Sequence, residues 1–318
     1  MLRFAGIALI IATGLAGMAQ QALRVDVRLV NVFATVEDSS GHYVAGLTKD
    51  DFVLEEDGES QEIAHFSQDE NIPVSVGILF DTSGSMQDKL RTAIVAVDKF
   101  VRSIHPDDDI FLMTFSGRTS LRQNFTSDRN KLSKALQNIQ AVGSTALYDA
   151  LKEGLGKIRL GEHQKRAILL ITDGRDTSSS TALPEIVQRV RESELLVYAL
   201  GISPATYADP SEHVPFSLPP IAGGTMRRGR YGSRDSVDMQ VLDSLGNESG
   251  GRAFLLSDVL VGGNNRIEEV LSEIAAELRS QYTLGFYPKH SDDGQYHTLT
   301  VRTKSGLEVR ARRGYTAK

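Results

Sequence analysis

Asp81, Ser83 and Ser85 stand two residues apart in the stretch LFDTSGSMQD, directly after the apolar-rich run Val74 to Phe80. A carboxylate and two hydroxyls at i, i+2 and i+4 of a curled turn can be aimed at one point. Two further oxygen donors sit in comparable places. Asp173 and Gly174 close AILLITDG, and Thr145 lies in GSTALYDA, ahead of another helical pattern. Hard oxygen donors carrying few charges suit Mg²⁺, with Mn²⁺ as an alternative; Ca²⁺ asks for more ligands and a roomier cage. Asp and Ser are also ordinary turn and N-cap residues, so D-x-S-x-S alone would say little. Three oxygen-bearing loops in one strand–helix series say more.

Other polar residues read as structural. Asp149, one turn beyond Thr145, is a first-turn carboxylate favoured by the helix dipole. Asp176 reads as a solvated turn, and so does the run Asp107-Asp108-Asp109 ahead of a strand. The seven histidines are scattered without H-E-x-x-H spacing, and no P-loop, G-x-S-x-G elbow or dinucleotide fingerprint occurs. Cysteine is absent, which excludes disulfides, zinc–thiolate sites and thiol catalysis. A net charge of −6 argues against nucleic acid as the main partner.

The elements that would position these groups follow from periodicity. Strands are expected at Val74–Phe80, Ile110–Phe115, Ala167–Ile171, Leu195–Gly201 and Ala253–Leu256, with a more polar edge strand at Leu121–Phe125. Helical faces are formed by Leu90, Ile94, Val97, Val101 and Ile104; by Leu132, Leu136 and Ile139; by Leu147, Leu151, Leu155 and Ile158; and by Ile267, Val270, Leu271, Ile274 and Leu278. Apolar strands alternating with amphipathic helices give an α/β fold with a doubly wound, mostly parallel, Rossmann-like sheet, in which ligands bind outside the carboxyl ends of the strands.

At this point DTSGSM (81–86), GSTALYDAL (143–151) and LLITDGRD (169–176) resemble the three loops of the metal-ion-dependent adhesion site of von Willebrand factor A domains. The resemblance covers roughly residues 70 to 280. It implies that Asp81, Ser83 and Ser85 hold a divalent cation, with both serines as direct ligands, joined by Thr145 and by Asp173 acting through water. It also implies a non-enzymatic binding module, in which an Asp or Glu carboxylate of a partner protein completes the coordination. Two rivals stay open: a metal-dependent hydrolase, and a coactivator subunit of a ring ATPase of the chelatase type. The flanking arms and the closing RRGYTA also resemble exported bacterial proteins related to this family, first grouped from acidobacteria.

Both ends of the chain have period two. Val25, Val27 and Leu29 alternate, then the phase flips to Val30, Val32, Ala34 and Val36, which suggests a bulge. Tyr282, Leu284, Phe286, then Leu299 and Val301, then Leu307, Val309 and Ala311 repeat the pattern at the other end. Each arm alone is too small to bury a core without disulfides. The economical solution is one small β-sandwich made from both arms with the A-type domain inserted, as in integrins. The expected layout is a signal peptide at 1–19, an N-terminal β arm at 20–69, the A-type domain at 70–280 and a C-terminal β arm at 281–318. Arg3, the apolar Phe4–Leu15 and the small residues Gly17 and Ala19 imply export to the periplasm or cell surface, with no transmembrane span in the mature chain. The Pro-, Gly- and Arg-rich segment 203–235, with Arg227, Arg228, Arg230 and Arg234, reads as an insertion beside the site that could steer an acidic partner segment.

Overall fold

The computed structural model describes residues 29–68, 72–203, 237–256, 264–289 and 293–317. The expected leader, the alternation over Val25–Arg28 and nearly all of the 203–235 insertion lie outside these residues. In chain order the elements are β1 (Val30–Glu37), β2 (Phe52–Glu56), β3 (Glu59–Gln61), β4 (His65–Ser67), β5 (Val74–Asp81), α1 (Leu90–Ser103), β6 (Asp109–Phe115), β7 (Thr119–Thr126), α2 (Arg129–Ala135) and α3 (Leu147–Ile158). The chain continues through β8 (Lys165–Thr172), α4 (Leu183–Arg191), β9 (Leu196–Ile202), α5 (Met239–Ser249), β10 (Ala253–Leu256), α6 (Asn264–Ser280), β11 (Tyr282–Phe286), β12 (Tyr296–Thr303), β13 (Glu308–Ala311) and β14 (Gly314–Thr316).

The central sheet has the order β10-β9-β8-β5-β6-β7. All its pairs are parallel except β6 with β7, the polar edge strand. Every residue of β5, β6 and β9 is buried, because helices cover both faces of the sheet. On one face Val76, Ile78 and Phe80 pack with Val97 and Phe100 of α1 and with Ile267, Leu271 and Ile274 of α6. On the other, Leu79, Phe111 and Met113 pack with Leu147 and Leu151 of α3, Ile186 of α4 and Leu242 of α5. The chain runs from β5 outward to β6 and β7, then returns to build β8, β9 and β10 on the other side. The order therefore reverses at β5 and β8, and that is where an open α/β sheet leaves a crevice.

The two arms interleave. One sheet has the order β13-β1-β11-β4 and the other β14-β12-β2-β3. In the first, Val30 stands opposite Phe286 and Val36 opposite Val309, both pairs antiparallel. In the second, Val301 of β12 stands opposite Leu54 of β2. Val32, Ala34, Phe52, Leu54, Tyr282, Leu284, Phe286 and Tyr315 share one core between the sheets. The sandwich expected from both arms is thus the observed one, and the strands of the α/β sheet lie between its halves in sequence.

Three expectations need correction. The helix projected through Leu136 and Ile139 stops at Ala135, although both residues still pack on the core beside α1. The helices α4 and α5 were not expected. Lastly, the acidic run before β6 is not a solvated turn: Asp108 and Asp109 are buried. Asp108 accepts hydrogen bonds from the backbone N–H groups of Val74 (2.8 Å) and His105 (2.9 Å), and Asp109 accepts one from the Ser75 hydroxyl. These carboxylates satisfy donors at the amino end of β5 and in the turn before β6.

Candidate functional site

Asp81 is the last residue of β5, and Thr172 the last of the neighbouring β8, so the two strand ends at the reversal point carry Asp81, Thr172 and Asp173 side by side. Asp81 is fully buried. Its Oδ1 accepts from the Ser83 backbone N–H at 2.8 Å, and its Oδ2 accepts from the Thr172 hydroxyl at 2.6 Å. The first bond is an Asx-type closure that curls the chain straight after the strand. A 3₁₀ turn over Gly84–Met86 continues the curl and brings the Ser83 and Ser85 hydroxyls to 3.1 Å from each other. Ser83 is buried and Ser85 exposed, so the pair spans from the interior to the surface.

The second loop is stitched to this turn. The Val142 N–H donates to the Thr82 carbonyl (2.8 Å), and the Gly84 N–H to the Gly143 carbonyl (2.9 Å). Gly143 has φ +86, a left-handed conformation that disfavours side chains. Thr145 follows, buried, with its carbonyl accepting from the N–H groups of Thr177 (2.8 Å) and Ser178 (3.0 Å). Its hydroxyl makes no hydrogen bond to a described residue. The loop after β8 is therefore tied to the loop before α3, as the latter is to the turn after β5.

Asp173 is also buried, and its carboxylate is held from two sides. The Arg175 N–H donates to Oδ1 at 3.2 Å, and the Lys89 ammonium pairs with Oδ2 at 3.0 Å. Burial pushes the Asp81 carboxyl up to about 6, against the hydrogen bonds from Thr172 and Ser83, and the nearby Asp173 charge adds to the rise. Two carboxylates, one ammonium and a cluster of hydroxyls thus converge at one mouth of the sheet. Among the described residues, no group of three or more His, Cys, Asp or Glu is placed to hold a metal ion.

Two further carboxylates brace the loops. Asp176, expected as a solvated turn, accepts from the N–H groups of Leu147 (2.8 Å) and Tyr148 (3.4 Å) and from the Ser179 hydroxyl, and so serves the free N–H groups at the start of α3 from another loop. Asp149 does lie in the first turn of α3, but it reaches across to Ser180 and Thr181; their hydrogen bonds hold its carboxyl well below the usual carboxylate range. Lys89 and Thr172 were missed. Lys89 is the N-cap of α1, where the helix dipole disfavours a cation, but that position shows only once the helix is in place.

Residues 76–175 match the von Willebrand factor type A domain. An uncharacterized protein of Synechocystis sp. is 28% identical over 112 residues, which are 34% of this chain and 27% of that protein. The match thus spans about a quarter of the relative's length. Among solved structures, a von Willebrand factor type A protein from Catenulispora acidiphila is similar over 90% of this chain and 72% of its own, at 12% identity and a TM-score of 0.49. BatB, a conserved hypothetical protein from Bacteroides thetaiotaomicron, is similar over 65% of this chain and all (100%) of its own, at 21% identity and a TM-score of 0.47. The vWF domain of the type V pili tip protein Mfa5 from Porphyromonas gingivalis is similar over 64% of this chain and 96% of its own, at 11% identity and a TM-score of 0.45.

Proposed function

We propose that this chain is an exported protein-binding module whose site holds Mg²⁺, or Mn²⁺ in its place, and engages an Asp or Glu carboxylate of a partner protein. The observation that carries the reading is the donor set at the reversal point of the sheet: Asp81, Ser83, Ser85, Thr145 and Asp173, with only two carboxylates among five oxygen-bearing side chains. An octahedral Mg²⁺ site has ligand distances of about 2.1 Å, so adjacent ligand oxygens lie about 3.0 Å apart. The 3.1 Å between the Ser83 and Ser85 hydroxyls fits one edge of such an octahedron. The donor chemistry therefore suits the ion.

In this reading Ser83, Ser85 and Thr145 supply neutral oxygens, and Asp81 and Asp173 supply negative charge. Asp81 orients the serine turn through the Ser83 N–H and is itself held by Thr172. When bound, the cation acts as a Lewis acid that accepts an anionic oxygen from outside. Three of the five donors are neutral hydroxyls, and the Lys89 ammonium offsets part of the carboxylate charge, so the bound cation keeps a net positive site that a partner carboxylate compensates. The exposed Ser85 and the exposed Gly143–Ser144 edge leave the approach open on the solvent side. Export rests on the leader-like first residues. Among the described residues no helix is long and apolar enough to cross a membrane.

Calorimetric titration of the mature protein with MnCl₂ tests the reading, with Asp81→Ala as the control. The wild type should bind one Mn²⁺ and the variant none, while far-UV circular dichroism stays the same. Equal binding by both proteins would remove Asp81 from the site and the proposal with it.

A further inference from the structure

The ammonium of Lys89 sits where a metal-site reading has no use for a cation. Lys89 is 2% exposed and its partner Asp173 1%. It occupies the N-cap position of α1, an unfavourable place for positive charge. A buried lysine at a helix amino end costs stability twice, through desolvation and through the dipole, unless a carboxylate offsets both. Asp173 does so at 3.0 Å. The two buried acids Asp81 and Asp173 need the same compensation from the other side, and Lys89 supplies it by direct ion pairing with Asp173.

We propose that Lys89 is a tethered counter-cation of the site: it keeps the loops assembled whether or not a metal is bound, and restrains Asp173 to an outer role. The inference rests on the metal-site reading above. Both oxygens of Asp173 already accept from the chain itself, Oδ1 from the Arg175 N–H and Oδ2 from Lys89, which holds the carboxylate in place and favours its acting on a cation through water. Both oxygens of Asp81 are engaged likewise, by Ser83 and Thr172. The hydroxyls are then the direct ligands, and the two tethered carboxylates act through field and through water.

The charge count gives the functional consequence. Asp81 and Asp173 contribute −2 and Lys89 +1, so a bound dication leaves the site at +1. Without Lys89 the same site would be neutral. Lys89 thus weakens the hold on the cation and strengthens the demand for an anionic partner. It is a positioning residue with opposite effects on two ligands. A unit charge removed a few ångströms from the ion in a partly buried site alters each affinity by about tenfold, in opposite directions.

The test compares wild type, Lys89→Met, Lys89→Arg and the double variant Lys89→Met/Asp173→Asn. Mn²⁺ affinity is read by calorimetry, acetate binding to the Mn²⁺ form by water-proton relaxation, and thermal unfolding by circular dichroism in EDTA and in Mn²⁺. Lys89→Met should bind Mn²⁺ about tenfold more tightly and acetate about tenfold more weakly. In EDTA it should unfold about 10 °C lower than wild type, and Mn²⁺ should recover most of that difference. Lys89→Arg should behave as wild type. The double variant, which removes both charges, should regain the wild-type midpoint in EDTA. If Lys89→Met does not fold even with Mn²⁺, the double variant decides: its failure to fold makes Lys89 a packing residue and overturns the proposal. Unchanged Mn²⁺ and acetate affinities in Lys89→Met overturn it too, and leave the metal-site reading standing. Absence of Mn²⁺ binding in the wild type overturns both.

Discussion

Glu277 of α6 offers a measurable test of how the α/β sheet and the sandwich are joined. Its carboxylate is fully buried. Oε2 pairs with Arg310 of β13 at 2.9 Å, and Oε1 accepts from the Thr35 hydroxyl of β1 at 3.3 Å. Arg310 also pairs with Glu37 of β1 at 2.7 Å, Glu37 with Arg252 at 2.8 Å, and Arg252 with Glu273, one turn before Glu277 on α6. The result is an open series of five alternating charges, Glu277–Arg310–Glu37–Arg252–Glu273, that starts and ends on α6 and passes through two sandwich strands and the approach to β10. Glu277→Gln removes one charge and keeps the volume. Breaking a buried pair costs about 3–5 kcal/mol because the remaining charge stays buried. Glu37 still holds Arg310, which places the expected loss near the lower end, about 3 kcal/mol. That is a large share of a typical stability of about 5–15 kcal/mol. Urea unfolding followed by far-UV circular dichroism and by tyrosine fluorescence supplies the assay, since the chain contains no tryptophan. The double variant Glu277→Met/Arg310→Met should recover most of the loss, because apolar replacement of a whole buried pair is often neutral. A loss under about 1 kcal/mol in Glu277→Gln would refute the reasoning, as the charges would then be effectively solvated. So would a double variant no more stable than the single one.

Three further outcomes are expected, beside those for Asp81 and Lys89. His297 is clamped between Asp57 (2.7 Å) and Asp293 (3.2 Å), and these hydrogen bonds, that of Asp57 foremost, raise its imidazolium above the ordinary value of 6.5. A raised histidine contributes stability that is complete below the unfolded value and lost as pH rises through the folded one. The urea midpoint of wild type should therefore fall between pH 6 and pH 8, and that of His297→Gln should fall less; equal slopes would discharge His297. Asp176→Ala, which frees the N–H groups of Leu147 and Tyr148, should cost about 1–2 kcal/mol in urea unfolding. An intact α3 start would show as an unchanged midpoint. Gly143→Ala should also lower the midpoint, by about 1 kcal/mol, because its positive φ strains any side chain; an equal midpoint would mean that the loop relaxes freely.

The central sheet is legible in the sequence because its strands are buried on both faces and read as apolar runs. Val74–Phe80, Ile110–Phe115 and Ala167–Ile171 each fall within one or two residues of the observed β5, β6 and β8. The short helices are not. In α4 only Ile186 and Val190 are buried, and Pro184 near its start reads as a breaker before it reads as a first-turn residue. The acidic residues mislead for a related reason. Asp108 and Asp176 look like solvated turns because their partners, Val74 and Leu147, are 34 and 29 residues away in sequence. Hydroxyls at strand ends can be read in order, but a lysine between Asp88 and Leu90 looks like surface until the helix that it caps is in place.

The arms show how far pattern alone can reach, and what topology adds. Alternation makes β1, β2, β11 and β12 visible as half-buried strands. It cannot say which strands are neighbours. In the first sheet β1 and β4, both from the N-terminal arm, do not touch; β11 from the C-terminal arm lies between them. In the second, β12 from the C-terminal arm lies between β2 and β14. The first residues of the sandwich therefore have no complete ladder until the last have been added, and the whole α/β sheet is folded in between. Only Gln281 separates α6 from β11, so the helix that closes one face of the α/β sheet also delivers the strand that bridges β1 to β4. Glu273 and Glu277 lie on that same helix, and the series of ion pairs between them fixes its angle against both sandwich strands at the junction. A shift of α6 along its axis would have to break ion pairs at Arg252 and Arg310 together, which makes the junction stiff unless both are released.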